Sequence, residues 1–155
     1  MKRSASGTMP RRPSKPSAVT TQRMRNQAQR DTAPEMALRR ELHRRGLRYR
    51  IHRRPVPNIR READVVFPRQ QVAVLVDGCW WHQCPQHATL PKSNVAWWKA
   101  KLDRNVARDR ETDRLLTDAG WQVVRIWEHE IPEAAADKVQ AALIARSTDA
   151  WMVCG

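Results

Sequence analysis

Apolar runs are short throughout this chain, and none approaches the roughly twenty residues that a membrane-spanning helix requires. Its first residues are basic and rich in Ser and Pro, without the apolar core of a secretory signal, so we expect a cytoplasmic protein with no membrane partner. Cysteine is scarce and odd in number, three in 155 residues, which argues against a disulfide framework and for thiols kept reduced and available to metal. Acidic residues are missing from the first thirty positions, where eight Lys and Arg stand. The whole chain carries 29 Lys and Arg against 16 acids, a net charge of +13, and residues 31–155 keep 21 against 16, or +5. That balance points to a polyanionic partner, nucleic acid before acidic protein. Phe and Tyr occur once each, whereas Trp occurs seven times. Trp offers the widest stacking face of any side chain and also fills cores well, so the count alone favours nucleic acid only weakly.

The length suits one domain. Residues 1–20 have almost nothing apolar and read as a disordered basic tail, leaving 21–155 as a single domain. Residues 21–30 (TQRMRNQAQR) read as a segment that becomes helical on meeting a partner. Thr32, Pro34 and Glu35 form a helix start of capping-box type, Leu38 and Leu42 its buried stripe, and Gly46 its end. Leu47, Tyr49 and Ile51 alternate with basic residues as in a half-exposed strand. Ala63–Phe67 and Val72–Val76 predict an antiparallel pair joined by a short turn, which brings Asp64 to the end where Asp77 leaves the sheet. A long helix follows from caps at Ser93 and Asn94 to Ala119, with Trp98, Leu102 and Val106 on its inner stripe and a largely basic remainder. Trp121–Trp127 predicts a strand parallel to a neighbour, and Pro132 to about Arg146 a covering helix. The fold class is α/β, a mixed sheet flanked by helices.

The segment VAVLVDGCWWHQCPQH, residues 72–87, concentrates the chemistry. Asp64 and Asp77 at adjoining strand ends can supply the carboxylates that Mg²⁺ takes when it assists phosphodiester hydrolysis; each also reads as an ordinary strand-end or turn Asp. Glu35 is accounted for by its cap unless its helix turns the carboxylate towards Asp64. Cys79, Cys84 and His87 have the short spacing that lets one loop converge on Zn²⁺, with His129 as a distant fourth ligand. His82 is left as a general base or phosphate ligand, or replaces His87 in the zinc set. Trp80, Trp81, Trp97 and Trp98 suit wedges in a base stack, although core burial is the default for any one Trp.

These blocks, DGCWWHQCPQH with LPKSNVAWWKAKLDRNVARDR and GWQVVRIWEHE, closely resemble the very short patch repair endonucleases, from about Thr21 to His129. The resemblance implies a restriction-endonuclease-like fold, catalytic Mg²⁺, structural Zn²⁺, and nicking of the T strand at T:G mismatches left by deamination of 5-methylcytosine. It places Asp64 and the Val76 carbonyl at the metal, and Glu35 and His82 in catalysis. It puts Cys79, Cys84, His87 and His129 on zinc, Trp80, Trp81 and Trp98 in the wedge, and Met24, Lys101 and Asn105 at the mismatch. Val76-Asp77 stands where the best-known member has Thr-His, so one histidine is lost and a carboxylate gained, which makes Asp77 a further candidate for catalysis and for Mg²⁺. Duplex DNA is the implied partner, acted on by a monomer at the nucleoid, with mismatch-repair and cytosine methyltransferase systems alongside. Two rival readings are a restriction-type nuclease with other targeting and a zinc-stabilised DNA-binding module without catalysis.

Overall fold

The computed structural model describes residues 30–79, 82–86 and 92–153. The first helix, α1 (Ala33–Arg44), starts as its sequence predicts. Thr32 Oγ1 accepts from the Glu35 N–H at 3.5 Å, and Pro34 sits in the first turn, where its missing N–H costs nothing. Leu38 and Leu42 are fully buried, each contributing about 1.5–3 kcal/mol by burial. The helix ends in a Schellman motif. Gly46 takes φ +76°, so its N–H reaches the His43 carbonyl and the Leu47 N–H the Leu42 carbonyl.

Four strands follow: β1 (Arg50–Arg53), β2 (Ala63–Phe67), β3 (Val72–Asp77) and, after the long helix α2 (Val95–Asp118), β4 (Gln122–Trp127). They lie in the order β1-β2-β3-β4, antiparallel twice and then parallel. The parallel pairing is the one a helical crossover permits. α2 closes with a second Schellman motif at Gly120 (φ +88°), which turns Trp121 back over Leu116. The last helix, α3 (Pro132–Val153), returns across the sheet.

Alternation along β2 divides the core. Val65 and Phe67 point with Val72, Val74 and Ile126 towards Leu38 and Leu42 of α1 and Ala136, Val139 and Leu143 of α3. Val66 and Ala73 point the other way, towards Leu116 of α2, with Leu75, Trp121 and Val123 around them. The result is three layers, a mixed sheet between α1 with α3 and α2.

Several boundaries differ from the sequence reading. The regular ladder of β1 begins at Arg50 rather than Leu47, because Leu47 completes the α1 cap and the Tyr49 hydroxyl donates to the Arg39 carbonyl; Ile51 is exposed on this edge. α3 runs on past Arg146 to Val153. Asn94 has φ 54° and its side chain makes no cap hydrogen bond. On α2, Trp98 and Leu102 are buried as expected, whereas Val106 is half-buried and the stripe resumes at Thr112 and Leu116. The interruption falls where the helix faces the candidate site. Expectations for the tail and for the 21–30 segment up to residue 29, Met24 among them, lie outside the described residues, as do those for Trp80, Trp81 and His87.

Candidate active site and metal centre

The pairing of β2 with β3 runs from Phe67 and Val72 to Val65 and Val74. Two residues further on, the Val76 N–H donates to Asp64 Oδ2 at 2.7 Å, so a carboxylate stands where the ladder gives out. Burial raises the Asp64 carboxyl to about pKa 6. The Val76 N–H opposes that rise, the negative charge of Glu35 adds to it, His52 opposes it and Asp77 adds to it. Glu35 is itself buried, with Oε2 accepting from the Asp31 N–H at 3.1 Å. It therefore serves both readings at once, closing the helix cap and placing its charge against Asp64.

His52 was not singled out from the sequence. The register of β1 on β2, with Ile51 against Val65 and Arg53 against Ala63, sets it across from Asp64. It adopts φ +47°, lies 3.1 Å from Asp31 Oδ1 through Nε2, and forms with Asp31 and Glu35 a group whose ligand atoms fall within 4.8 Å of one another. No local pattern marks His52, since only strand pairing brings it here.

Asp77 has a different environment. Both of its oxygens accept from Arg125 Nη1 at 2.9 Å. Burial raises its carboxyl above the ordinary carboxylate range, and the charges of Arg125 and His82 oppose the rise. Arg125 is on β4, and its remaining donors reach α2: Nε bonds Asp113 at 2.8 Å and Nη2 bonds the Asp109 carbonyl at 3.1 Å. The carboxylate of Asp109 in turn holds His82 through Nδ1 at 2.5 Å, with Asp77 Oδ1 3.8 Å from the same nitrogen. Burial works against protonation of His82, but the Asp109 bond and the charges of Asp77 and Asp109 outweigh it and lift the imidazole above its ordinary range. Asp109 and Arg125 were also missed. Each looks like one charge among many on a basic helix or strand, and a role shows only once β4 lies beside β3.

The parallel register that pairs Asp77 with Trp127 carries Cys79 and His129, each two residues beyond, to the same place. His129 Nδ1 lies 3.1 Å from Cys79 Sγ and 3.8 Å from Cys84 Sγ. Glu128 secures the loop by accepting from the Cys79 N–H at 3.0 Å, and the Trp127 indole stacks on the His129 ring. Both thiols are buried, and burial together with Cys84 raises the Cys79 thiol to about pKa 11. Two buried sulfurs and an imidazole nitrogen whose ligand atoms fall within 4.8 Å of one another form a donor set that suits a soft-to-borderline cation.

Of the expected DNA contacts, Trp98 is 9% exposed and meets Trp97 edge to face at 4.7 Å, with Lys101 Nζ 5.1 Å and 5.3 Å from the two ring centres. Asn105 follows two turns later on the same face as Trp98, and Asp109 one turn beyond that, so candidate mismatch contacts and the partner of His82 share one face of α2. The outer face carries Arg104, Arg108, Arg110 and Arg114, all exposed, around a shallow groove of about 650 Å³.

Buried carboxylates at the end of a mixed sheet, a histidine held by an aspartate, a thiol-imidazole cluster and a basic helix are consistent with a hydrolase acting on a polyanion. The family model for the DNA mismatch endonuclease Vsr matches residues 14–87. The type II nicking enzyme V.NaeI of Lentzea aerocolonigenes is 45% identical over 131 residues, covering 81% of this chain and 75% of that protein. The chain belongs to the Vsr family of DNA mismatch endonucleases. The type II nicking enzyme V.XorIIP of Xanthomonas oryzae pv. oryzae is 37% identical over 108 residues, 68% of this chain and 76% of its own. The DNA mismatch endonuclease Vsr of Escherichia coli is 29% identical over 141 residues, 89% and 85% of the two chains. The span matched by the Vsr model includes Glu35, Asp64, Asp77, Cys79, His82 and Cys84, and ends before α2, β4 and the turn after β4, which supply Asp109, Arg125 and His129.

Proposed function

We propose that this chain is a Mg²⁺-dependent endonuclease that nicks the strand carrying T at T:G mismatches arising from 5-methylcytosine deamination, and so initiates very short patch repair. The observation that supports it best is the Asp64 corner. A half-buried carboxylate fixed by one backbone N–H, with Glu35 and Asp77 adding negative charge, has oxygen donors in excess and suits a hard divalent cation. Asp64 with the Val76 carbonyl would hold Mg²⁺, and Glu35 would bind a second ion or its waters. Asp77, the other ligand considered, has both oxygens on Arg125, which favours the carbonyl. When bound, Mg²⁺ polarises the phosphoryl oxygen and balances the charge that builds up during attack. His82 has Nδ1 committed to Asp109, which leaves Nε2 to take the proton of the attacking water.

Cys79, Cys84 and His129, with His87 as the fourth ligand, would hold a structural zinc that orders the loop carrying His82. Trp80, Trp81 and Trp98 would wedge into the stack beside the weak T:G pair, while Met24, Lys101 and Asn105 read it from the two grooves. A cytoplasmic, nucleoid-associated monomer working alongside mismatch-repair and cytosine methyltransferase systems completes the reading.

Purified protein with Mg²⁺ and duplexes that differ only in T:G versus C:G tests this directly. Strand-specific nicking of the T:G duplex is expected. Equal nicking of both would point to a nuclease with other targeting, and binding without nicking to a non-catalytic module. Metal analysis checks the second site: one zinc per chain, lost together with melting temperature in Cys79→Ser or Cys84→Ser. A zinc-free preparation with normal melting and activity would leave two ordinary thiols.

A further inference from the structure

We propose that Arg125 is a positioning residue of the nicking centre, the clamp that sets Asp109 against His82; this rests on the nuclease reading above. The residue touches neither His82 nor the Asp64 corner in any hydrogen bond described here, yet its guanidinium joins three elements. Nη1 grips both oxygens of Asp77 at the end of β3, Nη2 takes the Asp109 carbonyl in the middle of α2, and Nε and Nη2 hold Asp113 one turn further on. Asp109 Oδ1 lies 3.8 Å from Nη1, and its other oxygen is the one that holds His82.

The planar fork is what makes this arrangement possible. Its five N–H donors are fixed relative to one another, so a fork that grips Asp113 through Nε and Nη2 and meets Asp77 through Nη1 dictates where the Asp109 carbonyl sits. A lysine in this place would supply the charge without that geometry. The stripe of fully buried α2 residues breaks between Leu102 and Thr112, so apolar packing does little to fix the register of the helix beside His82. Arg125 supplies that constraint where packing is thin. Asp77 is then the anchor of the clamp, which accounts for a buried carboxylate at a strand end whose oxygens both point away from metal duty.

Arg125→Met and the double variant Asp77→Asn/Arg125→Met form the test, with zinc content checked in each. The single variant leaves Asp77 buried without its cation, so a fall in melting temperature is expected from it whatever Arg125 does. The double variant removes that stranded charge and should recover most of the melting temperature. If Arg125 positions Asp109, the double variant still turns over about 100-fold more slowly, with KM for the T:G duplex within a few-fold of wild type, because a misplacement of about 1 Å is enough to cost that much. Arg125→Lys should also stay slow. Wild-type kcat in the double variant, or in Arg125→Lys, would overturn the proposal and leave Arg125 as a counter-charge for Asp77. An NMR measurement separates this from failure of the nuclease reading. The His82 Nδ1–H held by Asp109 should give a downfield proton signal in the wild type that disappears in the double variant, even if the wild type proves not to nick. A signal that persists unchanged would overturn the clamp independently of activity.

Discussion

Asp64 and Asp77 sit at neighbouring strand ends of one sheet, the first half-buried and the second buried, and the chain treats them in opposite ways. Asp77 receives a guanidinium that covers both of its oxygens. Asp64 receives one backbone N–H, the company of further acids and only His52 to oppose them, and its carboxyl rises to about pKa 6. A fold selected for stability alone would give the second carboxylate a cation too, since unpaired buried charge is costly. Among the described residues no Arg or Lys hydrogen-bonds Asp64, which on the function proposed above leaves that carboxylate to a ligand and makes Asp77 an internal brace.

The largest expected effect follows from that contrast. If Asp64 holds the proposed Mg²⁺, Asp64→Asn should lower nicking by about 10³-fold or more while leaving duplex binding in place, because such a cation would contribute several kcal/mol to the transition state and Asn cannot replace the charge that would hold it. Turnover near wild type in a nicking assay would end the assignment of Asp64.

The two carboxylates should also differ in sign when stability is measured. Asp77→Asn removes the charge that Arg125 Nη1 meets at the end of β3, while Asp113 still holds Nε and Nη2; the lost ion pair should outweigh the relief of a carboxyl that burial also raises, at a cost of about 1–3 kcal/mol in denaturant melts. Asp64→Asn should instead stabilise the Mg²⁺-free protein at pH 7, by on the order of 1–3 kcal/mol. The folded-state pKa of Asp64, about 6, lies above the ordinary aspartate value of 3.8, so the native state binds the proton more tightly and this group lowers stability as pH rises from about 4 to about 6. The gain of Asp64→Asn should therefore vanish below pH 4, and added Mg²⁺ should stabilise only the wild type. Equal signs for the two variants at pH 7 would dissolve the comparison.

A smaller effect tests the same distinction on the aromatic side. Trp98 is buried beneath Lys101, so it is either a core residue or a wedge covered until DNA arrives. As a wedge, Trp98→Ala should weaken T:G binding by about 10- to 100-fold and leave matched, salt-sensitive binding largely alone. Equal losses on both duplexes, accompanied by a lower melting temperature, would make it core.

Much of this protein was legible before any coordinates. Thr32, Glu35, Leu38, Leu42 and Gly46 marked α1, and the runs at 63–67 and 72–76 gave β2 and most of β3, because caps, turns and side-chain periodicity are local properties of the chain. The cysteine spacing and the resemblance likewise drew attention to Asp64, Glu35, His82 and the Cys79 loop. Only the tertiary structure decided which charges answer one another. Asp109, Arg125 and His52 read as ordinary polar residues in the sequence, since a salt bridge between residues 48 apart, or a histidine set opposite an aspartate by strand register, leaves no local pattern. Likewise nothing in the Asp77-Gly78 dipeptide says whether that carboxylate faces a metal or an arginine. Its environment is set by β4 arriving in parallel beside β3, a pairing that forms across a 24-residue helix, and so the different surroundings of the two aspartates are a property of the fold.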